Sequence, residues 1–307
     1  MTSKRYALTA LFLIAAISSS FVLFNMWIDE FGLYGDATGQ NRRIWTYNRA
    51  SKYLLSLNHI PANYEGILIG SSSSASMIDT RLLKGHRIYN LSMNGANICE
   101  VSKAALKALK SGKMKNLLIC LDPYLTRNSH MKTSELRPDL KKDTLGSLFM
   151  VKFYLYKLWY TLQPEKDPYR ESWQGHRTFL PSEKIDMRKI FEKEMALPVN
   201  LRARTIDPKA KECLKQVIDT AHEEDVAILA YFHPRSEPDL RQIAYGDFRK
   251  EMLKLFEHND RIIDMTGPDY AFIRHDPRSY NDHVHLSAAG AKQVLDLLRK
   301  DLDAWSK

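Results

Sequence analysis

Two stretches far apart in the chain carry side chains that make a nucleophile if they meet. Glu65–Ser76 reads EGILIGSSSSAS, a short apolar run stopped by Gly70 and followed by four serines. Near the other end, Tyr280–Leu286 reads YNDHVHL, with Asp282 and His285 in a DxxH spacing. A serine hydroxyl is a poor nucleophile at neutral pH. It needs an imidazole to take its proton and a carboxylate to hold that imidazole in one tautomer. Ser72, His285 and Asp282 form such a set if they converge. His283 is a rival base, but adjacent residues in a turn diverge, and His285 alone keeps the spacing from Asp282. Ser71, Ser73 and Ser74 stay open as alternative nucleophiles. A developing oxyanion also needs donors. The N–H of the nucleophile is one. The N–H of Gly95 is another, because a residue without a side chain lets its backbone approach a substrate closely.

Elements that could bring these groups together are legible around them. Ile67–Ile69 reads as a buried strand, Arg87–Leu91 as a second, Leu117–Leu121 as a third, Val226–Phe232 as a fourth and Arg261–Met265 as a short fifth. Crossover-length segments separate them, which argues for a parallel sheet in an α/β domain. Helical spacing covers 41–57, 98–109, 207–224, 239–258 and 287–305. In a parallel sheet the segments after the first and second strands open onto one crevice beyond the carboxyl ends. The serine run, Gly95 and the DxxH loop before the last helix all face that crevice. Residues 126–203 lack clear strands and are rich in aromatics (Phe149, Phe153, Tyr154, Tyr156, Trp159, Tyr160, Trp173). They read as a mostly helical insertion above the sheet edge, with aromatics that either bind sugar rings or form a local core.

Lys4 and Arg5 precede an uncharged run from Tyr6 to Trp27, long enough at ~1.5 Å per residue to cross a ~30 Å hydrocarbon layer. The run stays bulky to its end and closes on Trp27, which suits an uncleaved signal anchor with the remainder of the chain outside the cytoplasm. The expected organisation is an anchor over 1–28, a polar Gly-rich connector and helix over 29–62, and one α/β domain over 63–307. The formal net charge of +9 and pI near 9.3 suit weak attraction to anionic surfaces; no recognition signature points to nucleic acid. Cys99, Cys120 and Cys213 lack CxxC spacing and read as small buried thiols, a disulfide requiring an oxidising compartment. His86, His176, His222 and His275 show no metal-ligand spacing, so neither metal nor other cofactor is expected. At the mouth of the fourth strand, His233 and Arg235 are candidate substrate contacts, with a capped loop and a salt bridge as the plainer alternatives. Tyr124, after the third strand, is a further candidate contact. Asp122, beside Pro123, is expected to hold loop backbone.

The blocks Ile69-Gly70-Ser71-Ser72, Tyr89–Ala96 (YNLSMNGA) and Asp282–Leu286 (DHVHL) resemble those of the SGNH (GDSL-like) esterase and acyltransferase superfamily. The likeness is nearest to the membrane-anchored branch that works with MBOAT acyltransferases, such as the alginate O-acetylation proteins and the D-alanylation protein DltD. It covers 31–124 and 263–298. It implies a three-layer, flavodoxin-like SGNH domain with Ser72 as nucleophile, Gly95 as oxyanion donor, His285 as base and Asp282 as its orienter. By the same likeness, the chain is a bacterial single-pass membrane protein whose domain faces the periplasm or exterior. It would pass an acyl group from a membrane-bound MBOAT partner to a polysaccharide or envelope polymer. An acylesterase using water and a non-catalytic scaffold subunit are the alternatives. Two departures stand out. The usual GDS is GSS here, and Leu121-Asp122-Pro123-Tyr124 replaces the block whose asparagine completes the oxyanion hole. Asn94 or Asn97 is the candidate substitute donor; one lost donor costs ~3 kcal/mol of transition-state stabilisation.

Overall fold

The computed structural model describes residues 3–127, 136, 139–169, 174–178, 185–199 and 206–305. The chain opens on α1 (Ser3–Ile28), then α2 (Asn48–Leu57) and the single turn α3 (His59–Asn63). β1 (Gly66–Ile69) leads into the short α4 (Ser72–Ala75), and β2 (Ile88–Asn90) is followed by α5 (Ile98–Leu109). After β3 (Asn116–Leu121) come α6 (Leu140–Asp143), α7 (Leu148–Leu162), α8 (Met187–Met195) and α9 (Pro208–Glu223). β4 (Ala227–Phe232) precedes α10 (Glu237–Leu240) and α11 (Tyr245–Leu253). β5 (Arg261–Asp264), α12 (Ala271–Arg274) and α13 (Ala288–Trp305) complete the chain.

The strands form one five-stranded sheet in the order β2-β1-β3-β4-β5, and every pairing is parallel. Strand side chains alternate between two cores, as a sheet covered on both faces requires. Ile67, Ile69, Leu117, Ile119, Ile228 and Ala230 pack with α2, α5, α9 and α11. Leu68, Ile88, Leu118, Leu229, Tyr231 and Ile263 pack with α8, α12 and α13. The result is the α/β domain with a parallel sheet expected from the strand spacing, in the three layers that the resemblance implies. The predicted strands are matched to within a residue or two at each end. The helix predicted over 239–258 is instead two, α10 and α11. Gln242 N–H and Ile243 N–H bond to acceptors three residues back, and the break lets Ile243 and Tyr245 both reach the core.

The polar connector after α1 is folded onto the domain. Phe31, Leu33, Ala37 and Ile44 are buried. The Asp29 carboxylate accepts the backbone N–H groups of Leu33, Tyr34 and Gly35 at 2.6, 3.2 and 3.0 Å. In α1 itself, Lys4–Ile28 is apolar and long enough to span a membrane, and no residue of its most apolar stretch is buried.

One expectation for the cysteines is overturned. Cys99 of α5 and Cys213 of α9 are joined in a disulfide across neighbouring helices of the same layer, and only Cys120 is a free, buried thiol. The two helices pack side by side, so two half-buried thiols distant in sequence come within bonding range. A bridge that closes a loop of 114 residues restricts the unfolded chain strongly. Reduction, or Cys213→Ala, is expected to lower unfolding free energy by about 2–5 kcal/mol, measured as a fall in the urea midpoint. An unchanged midpoint would mean that the bridge restrains nothing.

Two wholly or largely buried histidines make stability pH-dependent. His59 and His233 are both held down to about 4, chiefly by burial. Their folded values lie below the unfolded value, so each contributes stability that is complete above about pH 6.5 and is lost as pH falls towards 4. The urea midpoint should therefore drop between those pH values. His233→Gln should flatten part of that drop.

Candidate active site

In a 2-1-3-4-5 sheet the strand order reverses between β1 and β3, and the crevice beyond their carboxyl ends is where ligands bind. The sequence places Ser71 and Ser72 two and three residues after β1, and Asp122–Tyr124 directly after β3. A cleft of about 610 Å³ opens at this point, lined among the described residues by Ser71, Ser72, Gly95, Tyr124, Arg127, Glu194, Asp239, Asp282, His283, Val284 and His285. Residues from both ends of the chain therefore share one cavity.

The serine run is sorted by its helix. Gly70 ends β1 against the first turn of α4; a Cβ there would lie 2.1 Å from Ser74 Oγ and 2.9 Å from Cys120 Cβ. That close approach tucks three of the four serines inward. Ser71 and Ser73 hydroxyls bond each other at 2.9 Å, and Ser74 Oγ bonds Ser92 Oγ at 2.8 Å; all three are buried. Ser72 alone is partly open to the cleft. Its N–H, at the start of α4, has no protein acceptor among the described residues, and neither has the N–H of Gly95. Gly95 sits in the turn after β2 with φ +63°, a conformation that a side chain disfavours. Its carbonyl is held by Arg127 Nη2 at 3.2 Å.

The DxxH loop closes on itself. Asp282 Oδ1 accepts the backbone N–H groups of Val284 and His285 at 2.8 and 2.7 Å, while Oδ2 accepts from His285 Nδ1 at 2.7 Å. Burial alone would raise the Asp282 pKa, but the hydrogen bonds from the His285 ring and backbone outweigh it and hold the carboxyl down at about 2. Asp282 is thus ionised across the physiological range, and it keeps the proton of neutral His285 on Nδ1. Nε2 is left as the basic nitrogen. His283, the rival base, has its Nε2 3.2 Å from Glu194 Oε1, so the insertion reaches the cleft through α8. Gly290 lets α13 begin close beneath this loop: a Cβ there would meet Ser279 O at 2.1 Å.

Other expected site residues fall elsewhere. His233 and Arg235 are fully buried and do not line the cleft. His233, neutral because burial holds it near 4, donates from Nε2 to Val284 O at 2.8 Å and so braces the DxxH loop. Arg235 is not a surface ion pair: its Nη1 meets Asp122 Oδ2 at 2.8 Å, and its Nε meets Asp239. Burial would lower its pKa, but the two carboxylates raise it well above the ordinary arginine range. Asp122 holds loop backbone as expected, accepting Tyr124 N–H at 2.8 Å, and is also Arg235's partner. Tyr124 does line the cleft, its ring 5.1 Å from the Arg127 guanidinium and 5.4 Å from that of Arg235. Asn97 is occupied as the cap of α5 in a capping box with Glu100. Asn94 does not line the cleft, and its N–H donates to Asn48 Oδ1 at 3.2 Å.

No protein-family model and no curated protein matches the chain. Among solved structures, one described as "a putative platelet activating factor from Streptococcus pneumonia" aligns over 83% of this chain and 90% of its own, at 13% identity and a TM-score of 0.44.

Arg127, Glu194 and Asp239 were not legible as cleft residues. Arg127 stands at the edge of the insertion and Glu194 within it, with no spacing that ties either to the serine or the DxxH loop. Only the fold of the insertion brings them over the sheet edge. Of the insertion's aromatics, Phe153 is buried in the main core, with Phe149 and Tyr154 packed against it. None of the described aromatics of α7 lines the cleft, and Trp173 lies outside the described residues.

Proposed function

We propose that the chain is an extracytoplasmic serine-dependent O-acyltransferase of the SGNH type, acting on a polysaccharide or cell-envelope polymer. The reading rests on one observation: the accessible serine, the Asp282–His285 pair and the free N–H groups of Ser72 and Gly95 share one cleft at the sheet's switch point. Ser72 Oγ attacks the acyl carbonyl while His285 Nε2 takes its proton. The tetrahedral oxyanion is met by the two backbone donors. Collapse breaks the bond to the donor group, which leaves with the proton returned from His285. An acceptor hydroxyl then gives its proton to His285, attacks acyl-Ser72 and carries the acyl group away.

Transfer outside the cytoplasm is supported by the apolar α1 and by the Cys99–Cys213 bridge, since disulfides persist in oxidising compartments. A membrane-bound MBOAT-type protein is the proposed acyl donor, because an anchored domain can wait where an acyl group crosses the bilayer. The third oxyanion donor of the superfamily is missing, and Asp122 stands in its segment.

The full chain is incubated with an acetyl ester, with and without a polysaccharide acceptor. Expected are an acyl adduct on the Ser72 peptide and acetyl groups on the polymer in proportion to ester consumed. Ester cleavage with no polymer labelling would make the protein a hydrolase. Neither adduct nor cleavage would make it a scaffold.

A further inference from the structure

Helix α7 is apolar on two opposite faces. One, carrying Met150 and Phe153, is buried in the main core. The other carries Leu148, Val151, Leu155, Leu158, Trp159 and Leu162, which are 39–75% exposed. Their spacing of three, four, three, one and three keeps them in one stripe along the helix. A water-facing helix would carry polar residues there, and contiguous apolar surface of this extent marks a contact with lipid or protein.

The position of α7 indicates which. Its start lies against the last turns of α1. Asn25 Nδ2 donates to Leu145 O at 3.0 Å, Tyr154 OH donates to Asn25 Oδ1 at 2.8 Å, and the Phe24 and Tyr154 rings meet at 6.0 Å. A Cβ on Gly146 would be 3.5 Å from the Phe21 ring. Lys157 then pairs with Glu30, just past the end of α1. The stretch from Leu145 to Tyr154 is therefore level with Phe21–Asn25, inside the apolar run that ends at Trp27. Six helical residues rise ~9 Å, and interfacial helices sink their apolar face ~5–10 Å below the headgroups. Exposed Lys141, Lys142, Lys152 and Lys166 flank the stripe, where flexible cationic side chains can reach anionic headgroups.

We propose that α7 is a second membrane contact, lying in the domain-side leaflet of the bilayer crossed by α1, with the Leu148–Leu162 stripe on the acyl chains. This rests on α1 being a membrane anchor. Two contacts fix the domain's tilt as well as its distance from the surface. They also bear on the cleft: Phe149 and Tyr156 of α7 pack on Tyr47, and the adjoining Asn48 holds Asn94 N–H beside Gly95. The oxyanion turn is thus braced by the segment that rests on the membrane-facing helix.

The test uses the full chain in vesicles of phosphatidylcholine and phosphatidylglycerol. Nitroxide labels are placed singly by Leu155→Cys, Leu158→Cys and Leu162→Cys, with Leu13→Cys in α1 and Lys215→Cys on the exposed face of α9 as references. The native cysteines do not compete, being buried or bridged. Expected is relaxation by dissolved oxygen over that by a water-soluble nickel complex, at all three α7 positions and at Leu13, in a ratio several-fold above that at Lys215. With Leu13 in lipid, nickel access at α7 would overturn the proposal and leave the stripe to an absent protein partner. Shielding from both reagents, with spin–spin broadening, would overturn it in favour of a second copy. Nickel access at Leu13 would overturn the anchor reading itself.

Discussion

Ser72→Ala is expected to lower ester turnover by a factor on the order of 10⁶ while leaving the thermal midpoint unchanged. The size follows from the chemistry: without Oγ there is no covalent intermediate, and catalysis falls back on binding and the two backbone donors. The clean background follows from the structure. Ser72 is the one serine of the four that is not buried, whereas Ser71, Ser73 and Ser74 are buried and hydrogen-bonded inside the first turn of α4. Ser73 and Ser74 cannot take over without unpacking β1 from α4, which Gly70 holds together, and the Ser71 hydroxyl, although at the cleft, is tied to Ser73 Oγ. His285→Ala should cost about as much, and the double variant little more, because a base without a nucleophile has nothing to deprotonate. Initial rates with an acetyl ester decide. A Ser72 variant that keeps a tenth of the activity would remove this serine from the mechanism.

Asp282→Asn should lower turnover by about 10⁴-fold with the fold intact. Asp282 makes three accepting contacts: two backbone N–H groups on Oδ1 and the His285 ring on Oδ2. An amide can serve the backbone with its oxygen, but its NH2 then faces Nδ1. The ring must turn that nitrogen into an acceptor and carry its proton on Nε2, where it can no longer act as base. The alternative flip sets the NH2 against two backbone donors and opens the loop. Nitrogen NMR of the His285 ring would report the tautomer directly; an unchanged tautomer together with full activity would sink the assignment. Because the folded Asp282 pKa is depressed to about 2, its contribution to stability is complete above the unfolded value near 4 and is lost as pH falls from there towards 2. The variant should lack that acid-side component.

Much of this was legible in advance because the relevant signals are local. Continuous β-branched and leucine runs mark strands buried on both faces, and Ile67–Ile69, Leu117–Leu121 and Val226–Phe232 appear where expected. The Asp282–His285 bond is also local, since three residues of loop suffice to close it. The α5 cap at Asn97 and Glu100 is a local pattern too, and it accounts for Asn97, which the sequence alone offers as a substitute oxyanion donor. Asn97 is instead fully buried with its Oδ1 on the Glu100 N–H, and it does not line the cleft.

The sequence by itself determined the α/β class, the apolar first helix and the candidate groups Ser72, Gly95, Asp282 and His285, because periodicity and short spacings act within a few residues. Tertiary structure alone decided the rest. It made Cys99 and Cys213 a bridge rather than two thiols, because neighbouring helices brought together residues that no short spacing connects. It removed His233 and Arg235 from the cleft, because a buried guanidinium needs the carboxylates of Asp122, after β3, and Asp239, in α10. It also left Ser72 as the one serine of the four that is not buried, because the exposure of each hydroxyl depends on how closely a strand and a helix can pack at Gly70.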